Sequence, residues 1–206
     1  YNKALSLKPQ NAVIYNNMGN AFRDQGKLDE AIEAYNKALS LKPDYAEAYS
    51  NMGNALQVQG KLDEAIEAYN KAISLKPDYA EAYSNMGNAL QDQGKLDEAI
   101  EAYNKALSLK PDYADAHFKL SFALLNSGKL QEGCEEYEWR WKTKELSPKE
   151  RHFLQPSWDG KKSLNGKRIL LWCEQGIGDT INWSSCLSHV ASQAKQCILE
   201  CQDKLI

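Results

Sequence analysis

Apolar and small residues recur with a fixed period through the first half of the chain. Gly19, Gly53 and Gly87 are separated by 34 residues each, and residues 46–79 and 80–113 differ at only two positions. A period of this length indicates one supersecondary unit stacked on copies of itself, because each copy buries the apolar face that its neighbour leaves open. The pattern therefore predicts a repeat array rather than a single globular core.

Each unit carries the spacing of two successive helices. In residues 46–79 the two apolar faces are Tyr49, Met52, Gly53 and Leu56, followed by Ala65, Ile66, Tyr69, Ala72 and Ile73. The first set has the i, i+3, i+4, i+7 spacing of one helix face, the second set makes the stripe of a second helix, and Pro77 follows that helix. We expect Asp63 to cap the second helix, and Asp78 with Glu81 to form a capping box for the next unit.

The repeated residues resemble the tetratricopeptide repeat (TPR) family. That family places an aromatic residue or Leu, a Leu-Gly pair and another aromatic residue or Leu on the first helix, then Ala, Tyr and Ala on the second, and a closing Pro. Three copies carry this set: Tyr15, Met18, Gly19, Phe22, Ala31, Tyr35, Ala38 and Pro43; Tyr49, Met52, Gly53, Leu56, Ala65, Tyr69, Ala72 and Pro77; Tyr83, Met86, Gly87, Leu90, Ala99, Tyr103, Ala106 and Pro111. The resemblance implies a mainly α-helical, superhelical array of helix–turn–helix units.

The period also predicts how the chain is divided. The segments are the second helix of a truncated unit at 1–11, complete units at 12–45, 46–79 and 80–113, a degenerate unit at 114–147, a linker at 148–166 and a different segment at 167–206. The degenerate unit has Ser121, Gly133 and Arg140 where the others have Gly, Ala and Ala. Because residue 1 falls in mid-pattern, we expect the chain to be part of a longer protein.

Six asparagines recur off the apolar stripe of the first helices. They form two series, Asn17, Asn51 and Asn85, and Asn20, Asn54 and Asn88. An amide offers both a donor and an acceptor, so such series suit the backbone of an extended peptide. In TPR arrays the first helices line the concave groove, and O-GlcNAc transferase has similar asparagines on its TPR units, so the resemblance implies a groove that binds a peptide or protein partner. The alternative is that these asparagines are only solvated polar residues.

Two other modes of interaction are a clamp for chaperone tails and self-association of the array. TPR proteins that clamp chaperone tails place basic residues beside such asparagines, whereas this chain has Asn16, Ser50 and Ser84, which disfavours a clamp. Lys119 stands alone at an Asn-equivalent position in the fourth unit. The near-identity of the units also allows self-association. The alternative function is therefore a non-enzymatic assembly scaffold, with the C-terminal segment as a structural cap.

From residue 167 the pattern changes to strands and a helix. Residues 168–173 and 197–201 are short apolar runs typical of buried parallel strands, and residues 181–194 have a helical pattern. This order predicts a partial α/β, Rossmann-like segment, the start of a doubly wound domain. Between the array and this segment, Trp139, Trp141 and Trp158 are expected to pack the linker against the end of the array.

The turn at residues 174–180 carries the candidate chemistry. It lacks the lysine of a Walker loop, and Ile181 stands in place of the third glycine of a dinucleotide fingerprint. Residues 167–180, with the motifs at 138–141 and 156–160, resemble bacterial proteins that fuse TPR units to a glycosyltransferase domain similar to the heptosyltransferases (the GT-B class). The resemblance implies that the parent protein uses a nucleotide sugar.

In those enzymes a Gly-Asp pair follows the first strand, and its aspartate is thought to be the catalytic base. The matching residues are Gly178 and Asp179. The resemblance implies that Asp179 takes a proton from the acceptor hydroxyl, and the alternative is that Asp179 only caps the following helix. Because the donor binds chiefly in the second half of such enzymes, we expect the chain that ends at Ile206 not to transfer sugars by itself.

Composition and charge limit the kinds of ligand, cellular location and metal site that the sequence predicts. The net charge is −3, and residues 12–113 carry ten Lys and Arg against sixteen Asp and Glu, which argues against nucleic acid as the ligand of the array. No apolar run reaches the roughly 18 residues of a membrane span. Five cysteines without an even framework indicate reduced thiols and a cytoplasmic location. The three histidines are scattered, so we predict no metal site and no bound cofactor.

Overall fold

The computed structural model describes residues 11–144, 162–172 and 187–200 and divides into two compact units, Tyr1–Glu150 and Arg151–Ile206. In its described residues the first unit contains eight α-helices and one short 3₁₀ helix. Their bounds are α1 Ala12–Asp24, α2 Leu28–Leu41, α3 Ala46–Val58, α4 Leu62–Leu75, α5 Ala80–Asp92, α6 Leu96–Leu109, α7 Ala114–Asn126, α8 Leu130–Tyr137 and the 3₁₀ helix Glu138–Lys142. The predicted mainly α-helical repeat array is thus confirmed.

The helices pair within each repeat and then stack. Helix α1 packs on α2, α3 on α4, α5 on α6 and α7 on α8, and each second helix packs on the first helix of the next repeat. Successive first helices also contact one another, from α1 through α3 and α5 to α7. They form one continuous surface, which we call the first-helix face. Corresponding positions of the first helices therefore recur along this face.

The core of each repeat is a tyrosine packed against a glycine of the facing helix. Tyr69 of α4 is 0% exposed, and a Cβ atom added to Gly53 of α3 would lie 2.6 Å from Tyr69 Cε1. Gly19 and Gly87 have the same relation to Tyr35 and Tyr103. Only glycine allows this approach of helix and ring, which explains why it marks the period.

The prediction that Asp63 caps α4 is wrong. Helix α4 begins at Leu62, Lys61 holds the N-cap position, and no side chain makes a capping hydrogen bond. The cause is the preceding turn: Gly60 has a φ of +78°, and the Lys61 amide donates to the Leu56 carbonyl at 3.0 Å. This turn ends α3, and α4 begins two residues earlier than it would with Asp63 as its N-cap. Asp63 instead lies in the first turn, where its carboxylate favours the positive end of the helix dipole.

The predicted capping box of Asp78 and Glu81 is also wrong. Helix α5 begins at Ala80, with Tyr79 at the N-cap position and no capping hydrogen bond from a side chain. The Lys76 ammonium lies 4.6 Å from the centre of the Tyr79 ring, a cation–π contact. The Glu81 carboxylate is 3.4 Å from the ammonium of Lys110, so it pairs with that residue instead of returning to the N-terminus of its helix.

The second unit is small in its described part. It comprises β1 Arg168–Trp172, α9 Leu187–Gln193 and β2 Gln196–Glu200. The two strands pair in parallel, with Ile169 opposite Cys197 and Leu170 opposite Ile198. The order strand, helix, strand agrees with the sequence pattern. However, the described residues give only a two-stranded sheet, and the sheet of a Rossmann-like domain is not found there.

None of the helices in the described segments combines the length and the apolar character that a bilayer span requires.

Candidate peptide-binding groove

The two asparagine series occupy equivalent places on the first-helix face. Helices α1, α3, α5 and α7 are each 13 residues long, so positions are counted from the first residue of each. The sixth position holds Asn17, Asn51, Asn85 and Lys119, and the ninth holds Asn20, Asn54, Asn88 and Phe122. The first three repeats are therefore alike at both positions, and the fourth differs at both.

Each ninth-position asparagine is tied to the buried tyrosine of its own repeat. The hydroxyl of Tyr69 donates to Oδ1 of Asn54 at 2.8 Å. The same bond joins Tyr35 to Asn20 and Tyr103 to Asn88, also at 2.8 Å. The oxygen of these amides is therefore engaged inside the protein, whereas their nitrogens donate no hydrogen bond to another described residue. Toward a ligand, the ninth-position asparagines are donors.

A second amide links neighbouring repeats beside this bond. Oε1 of Gln57 lies 3.2 Å from the Tyr69 hydroxyl, and Nε2 of Gln57 donates to the Asp92 carboxylate of the next repeat at 2.7 Å. A chain of polar contacts thus runs from the core tyrosine of one repeat to the surface of the next. Such a network holds the side chains of the first-helix face in fixed orientations.

Burial changes the ionisation of the core tyrosines. It raises the pKa of Tyr35 to about 12, although the nearby Arg23 opposes the change. Burial also raises the pKa of Tyr69 and of Tyr103, and the negative charge of Asp92 adds to both changes. These hydroxyls therefore stay protonated and keep donating to the asparagines throughout the neutral and mildly alkaline range.

The sixth-position asparagines have a different environment. Asn17 is exposed, and Asn51 and Asn85 are half-buried. Nδ2 of Asn51 donates to Oδ1 of Asn16 in the preceding repeat at 3.0 Å. Asn51 therefore retains its oxygen for a ligand, and within the described residues Asn17 and Asn85 make no side-chain hydrogen bond.

The fifth position offers no positive charge to a ligand. Asn16, Ser50 and Ser84 occupy it in the first three repeats, and all three are buried. At this position the first three repeats therefore lack the basic residue that a carboxylate clamp places there.

The fourth repeat replaces the amides with aromatic rings. Phe122 is 40% exposed and stands edge-on to Phe118, with ring centres 4.9 Å apart. Tyr137 is the counterpart of the core tyrosines. Its ring is perpendicular to that of Phe122, with an interplanar angle of 89° and ring centres 6.0 Å apart. At the sixth position, burial lowers the pKa of Lys119, against the opposing charge of Asp115.

The end of the array is closed by the 3₁₀ helix. The ring of Trp139 stacks on His117 of α7 with centres 3.8 Å apart, and His117 also contacts the Glu136 carboxylate. The Arg140 guanidinium is buried and lies 4.5 Å from the centre of the Tyr137 ring. Trp139 thus packs on α7 within the fourth repeat, and the predicted packing of the linker against the array stays a prediction, because residues 145–161, with Trp158, lie outside the described residues.

The predicted catalytic residue lies elsewhere in the chain. Asp179 and the preceding Gly178 lie outside the described residues, as do residues 1–10 of the truncated repeat predicted at 1–11. The six asparagines thus lie at equivalent positions of three successive first helices, and the role of Asp179 stays a prediction.

The sequence did not reveal the internal bonds of the asparagines, although it carried a signal for them. Asn20 and Tyr35, Asn54 and Tyr69, and Asn88 and Tyr103 are each 15 residues apart. An invariant spacing between an amide and a buried hydroxyl in all three repeats indicates a pair. Gln57 and Asp92 were missed because their contact crosses between repeats.

Two family models match the array. One, described as a TPR repeat, matches residues 19–60, 58–94 and 87–128. The other, described as a tetratricopeptide repeat, matches residues 1–33. No curated protein sequence matches the chain at a significant level.

Several solved structures share the fold. The crystal structure of MamA is 31% identical and covers 73% of this chain and 88% of its own, with a TM-score of 0.62. The first TPR of Spaghetti (RPAP3), bound to the HSP90 peptide SRMEEVD, is 31% identical and covers 58% of this chain and 94% of its own, with a TM-score of 0.56. The pilF protein of Pseudomonas aeruginosa is 23% identical, covers 67% of this chain and 63% of its own, has a TM-score of 0.62 and shares the fold alone.

Proposed function

Because the chain belongs to the tetratricopeptide-repeat family, we propose that its array is a protein-interaction scaffold that binds an extended peptide along the first-helix face. The observation that carries this proposal is the regular row of amide donors. The ninth-position nitrogens recur once per repeat, and the buried tyrosines orient each of them. The related Spaghetti array, which is bound to a peptide, supports the same use of this fold.

The spacing of the row suits a peptide backbone. Neighbouring packed helices lie about 8–10 Å apart, and an extended peptide advances about 3.3 Å per residue. Successive asparagines therefore meet about every third residue of a peptide that crosses the helices. Their nitrogens donate to its carbonyl groups, which every residue carries, so this contact tolerates many sequences.

The ligand differs from that of the Spaghetti array. The HSP90 peptide SRMEEVD is acidic at its end. Here the fifth-position residues Asn16, Ser50 and Ser84 are buried and uncharged, and the array carries an excess of acidic residues. Like charges repel, so the proposed ligand is not an acidic tail.

Paired substitution of Asn51 and Asn85 by alanine tests the groove. Binders are first selected from a phage-displayed library of random 12-residue peptides on the full chain, and their affinities are then measured by fluorescence polarisation. Two lost hydrogen bonds of about 1 kcal/mol each weaken binding by about 10–30-fold. Circular dichroism checks that the array keeps its helical content.

Asn70 and Asn104 provide the matched control. They are exposed, also 34 residues apart, and lie on the second helices α4 and α6. Replacing both with alanine is expected to leave affinity unchanged. Loss of binding in this control, with full affinity retained after substitution of Asn51 and Asn85, would place the peptide on the opposite face.

For residues 167–206 we propose a second role, as the start of a glycosyltransferase-type α/β domain. The supporting observation is that β1 and β2 pair in parallel, with α9 between them in the sequence. Parallel neighbours need a crossover connection, which is the unit of doubly wound domains. Asp179 follows β1 in the sequence, and α/β folds place their ligands beyond the carboxyl ends of strands. The proposed role of Asp179 is to accept the proton of an acceptor hydroxyl.

Substitution of Asp179 by Asn in the full-length protein tests that role. Release of nucleoside diphosphate is measured with a panel of UDP-, GDP- and ADP-sugars. Loss of a general base lowers the rate by about 10²–10⁴-fold, whereas Asp112→Asn, at an exposed site of the array, is expected to have no effect. Undiminished release after the Asp179 change removes the catalytic role. If no donor in the panel is turned over, the alternative of a non-enzymatic assembly scaffold is favoured.

A further inference from the structure

The row of ninth-position amides ends in an exposed aromatic ring. Asn20, Asn54 and Asn88 are followed at the same position of α7 by Phe122, which is 40% exposed. A single exposed apolar residue is ordinary on a protein surface. Phe122 differs from such a residue in its position, because it continues the row along which the peptide backbone is proposed to run.

Phe122 is held in position by two other rings. Phe118, one helical turn earlier, meets it edge-on at 4.9 Å, and Tyr137 of α8 meets it at 6.0 Å and 89°. Phe118 and Tyr137 are themselves 5.6 Å apart. The three rings form one supported cluster, which we call the aromatic end of the groove. A rigid ring of this kind gives large contact area with little loss of side-chain entropy on binding.

The carboxylate of Asp92 lies one repeat away from this cluster on the same face. Asp92 is the last residue of α5 and is exposed. It accepts a hydrogen bond from the neutral Gln57 and forms no ion pair with a described residue. By contrast, Asp24 pairs with Arg23, and Glu81 with Lys110. The negative charge of Asp92 therefore remains available to a ligand.

On the basis of the peptide-binding function proposed above, we propose that the groove selects an extended peptide with a large apolar side chain and a basic side chain about three to four residues apart. The apolar side chain packs on Phe122, and the basic side chain pairs with Asp92. Adjacent helices lie about 8–10 Å apart, and four residues along a helix add about 6 Å. The two sites are thus about 10–12 Å apart, which an extended chain spans in three to four residues.

Charge favours this ligand over a second copy of the chain. Residues 12–113 carry sixteen acidic and ten basic residues, so two arrays repel each other, whereas a basic peptide is attracted. The aromatic end then selects among peptide side chains, because the asparagines contact only the peptide backbone.

Three synthetic 12-residue peptides with a fluorescein label test the selection. They share a background of Ala, Ser and Gln. The first carries Phe and Lys three residues apart, the second has Ser in place of Phe, and the third has Glu in place of Lys. The full chain is expected to bind the first peptide about tenfold or more tightly than either of the others, because each of those loses one matched contact.

Variants of the chain assign each preference to its residue. Phe122→Asn, which restores the residue of the other repeats, is expected to remove the preference for Phe over Ser, and Phe122→Leu to retain most of it. Asp92→Asn is expected to remove the preference for Lys over Glu. The control is Leu130→Ser at the start of α8, which removes an apolar side chain that is 64% exposed and lies outside the first-helix face.

The outcomes separate this inference from the function on which it rests. If the three peptides bind equally and the Phe122 variants change nothing, while the Asn51 and Asn85 pair still weakens binding, side-chain selection is overturned and the backbone groove stands. If none binds at about 1 mM, a concentration at which even a weak complex forms, both are overturned. A dimer in sedimentation that Phe122→Asn dissociates would assign the aromatic end to self-association and overturn the peptide proposal.

Discussion

Tyr69→Ala is expected to lower the free energy of unfolding by about 3–5 kcal/mol, the usual cost of removing a large buried aromatic side chain. The Tyr69 ring is fully buried, packs against Gly53 and is surrounded by Leu56 and Ala65. Its removal leaves a cavity at the centre of the array and frees the amide of Asn54. Urea unfolding followed by circular dichroism at 222 nm measures the change.

Tyr69→Phe is the matched control, because it keeps the ring and removes only the hydroxyl. The expected cost is about 1 kcal/mol, that of one hydrogen bond to Asn54. Repeat arrays unfold with contributions from each repeat and its neighbours, so both variants are compared in the full chain. Equal stability of the two variants would mean that the ring is not a core element.

The array is expected to lose stability steeply above pH 10. A tyrosine in the unfolded chain has a pKa of about 10, whereas burial raises the pKa of Tyr35 to about 12 and also raises those of Tyr69 and Tyr103. Above pH 10 the unfolded state therefore releases protons that the folded state retains, and the free energy of unfolding falls as pH rises. The stabilising contribution is complete below pH 10 and is lost as the pH passes through the folded values.

Each of these tyrosines contributes about 1.4 kcal/mol per pH unit, so the three together give about 4 kcal/mol per unit above pH 10. Urea unfolding at a series of pH values measures the slope. In a variant with Phe at positions 35, 69 and 103 the slope is expected to flatten, because no hydroxyl remains to ionise at these sites. An unchanged slope in that variant would contradict the assignment.

The paired helices of the array were predictable because their signal is local and repeated. Tyr49, Met52 and Leu56 define one helix face, and each of the next repeats offers the same pattern again. The helix starts were less predictable. Asp63 has the residue type of a cap, but Gly60 and the Lys61 amide close the turn earlier. A backbone turn therefore determined the boundary, against the preference of the side chain.

The shared helix face of the asparagines was predictable, but their hydrogen bonds were not. The spacing of Asn51 and Asn54 placed them on one face, yet it did not show that Tyr69 occupies the oxygen of Asn54. A hydrogen bond between two helices depends on their packing, which the spacing within one helix does not specify. The same holds for Gln57 and Asp92, which meet across two repeats.

The aromatic end illustrates a third case. The departure of the fourth repeat from the pattern was visible at Ser121 and Arg140. The surface that the fourth repeat forms instead depends on how the rings of Phe118, Phe122 and Tyr137 pack in three dimensions. The loss of a repeat pattern identifies a position but not the surface that replaces it.

The side-chain amide signals of asparagine in ¹H–¹⁵N NMR spectra provide the most direct test of the groove. A peptide selected on the full chain is titrated into labelled protein, with signals assigned by single substitutions. Binding on the first-helix face predicts that the signals of Asn51, Asn54, Asn85 and Asn88 shift, while those of Asn70 and Asn104 on the second helices stay in place. Shifts confined to Asn70 and Asn104 would contradict the central claim, because the peptide would then lie on the opposite face.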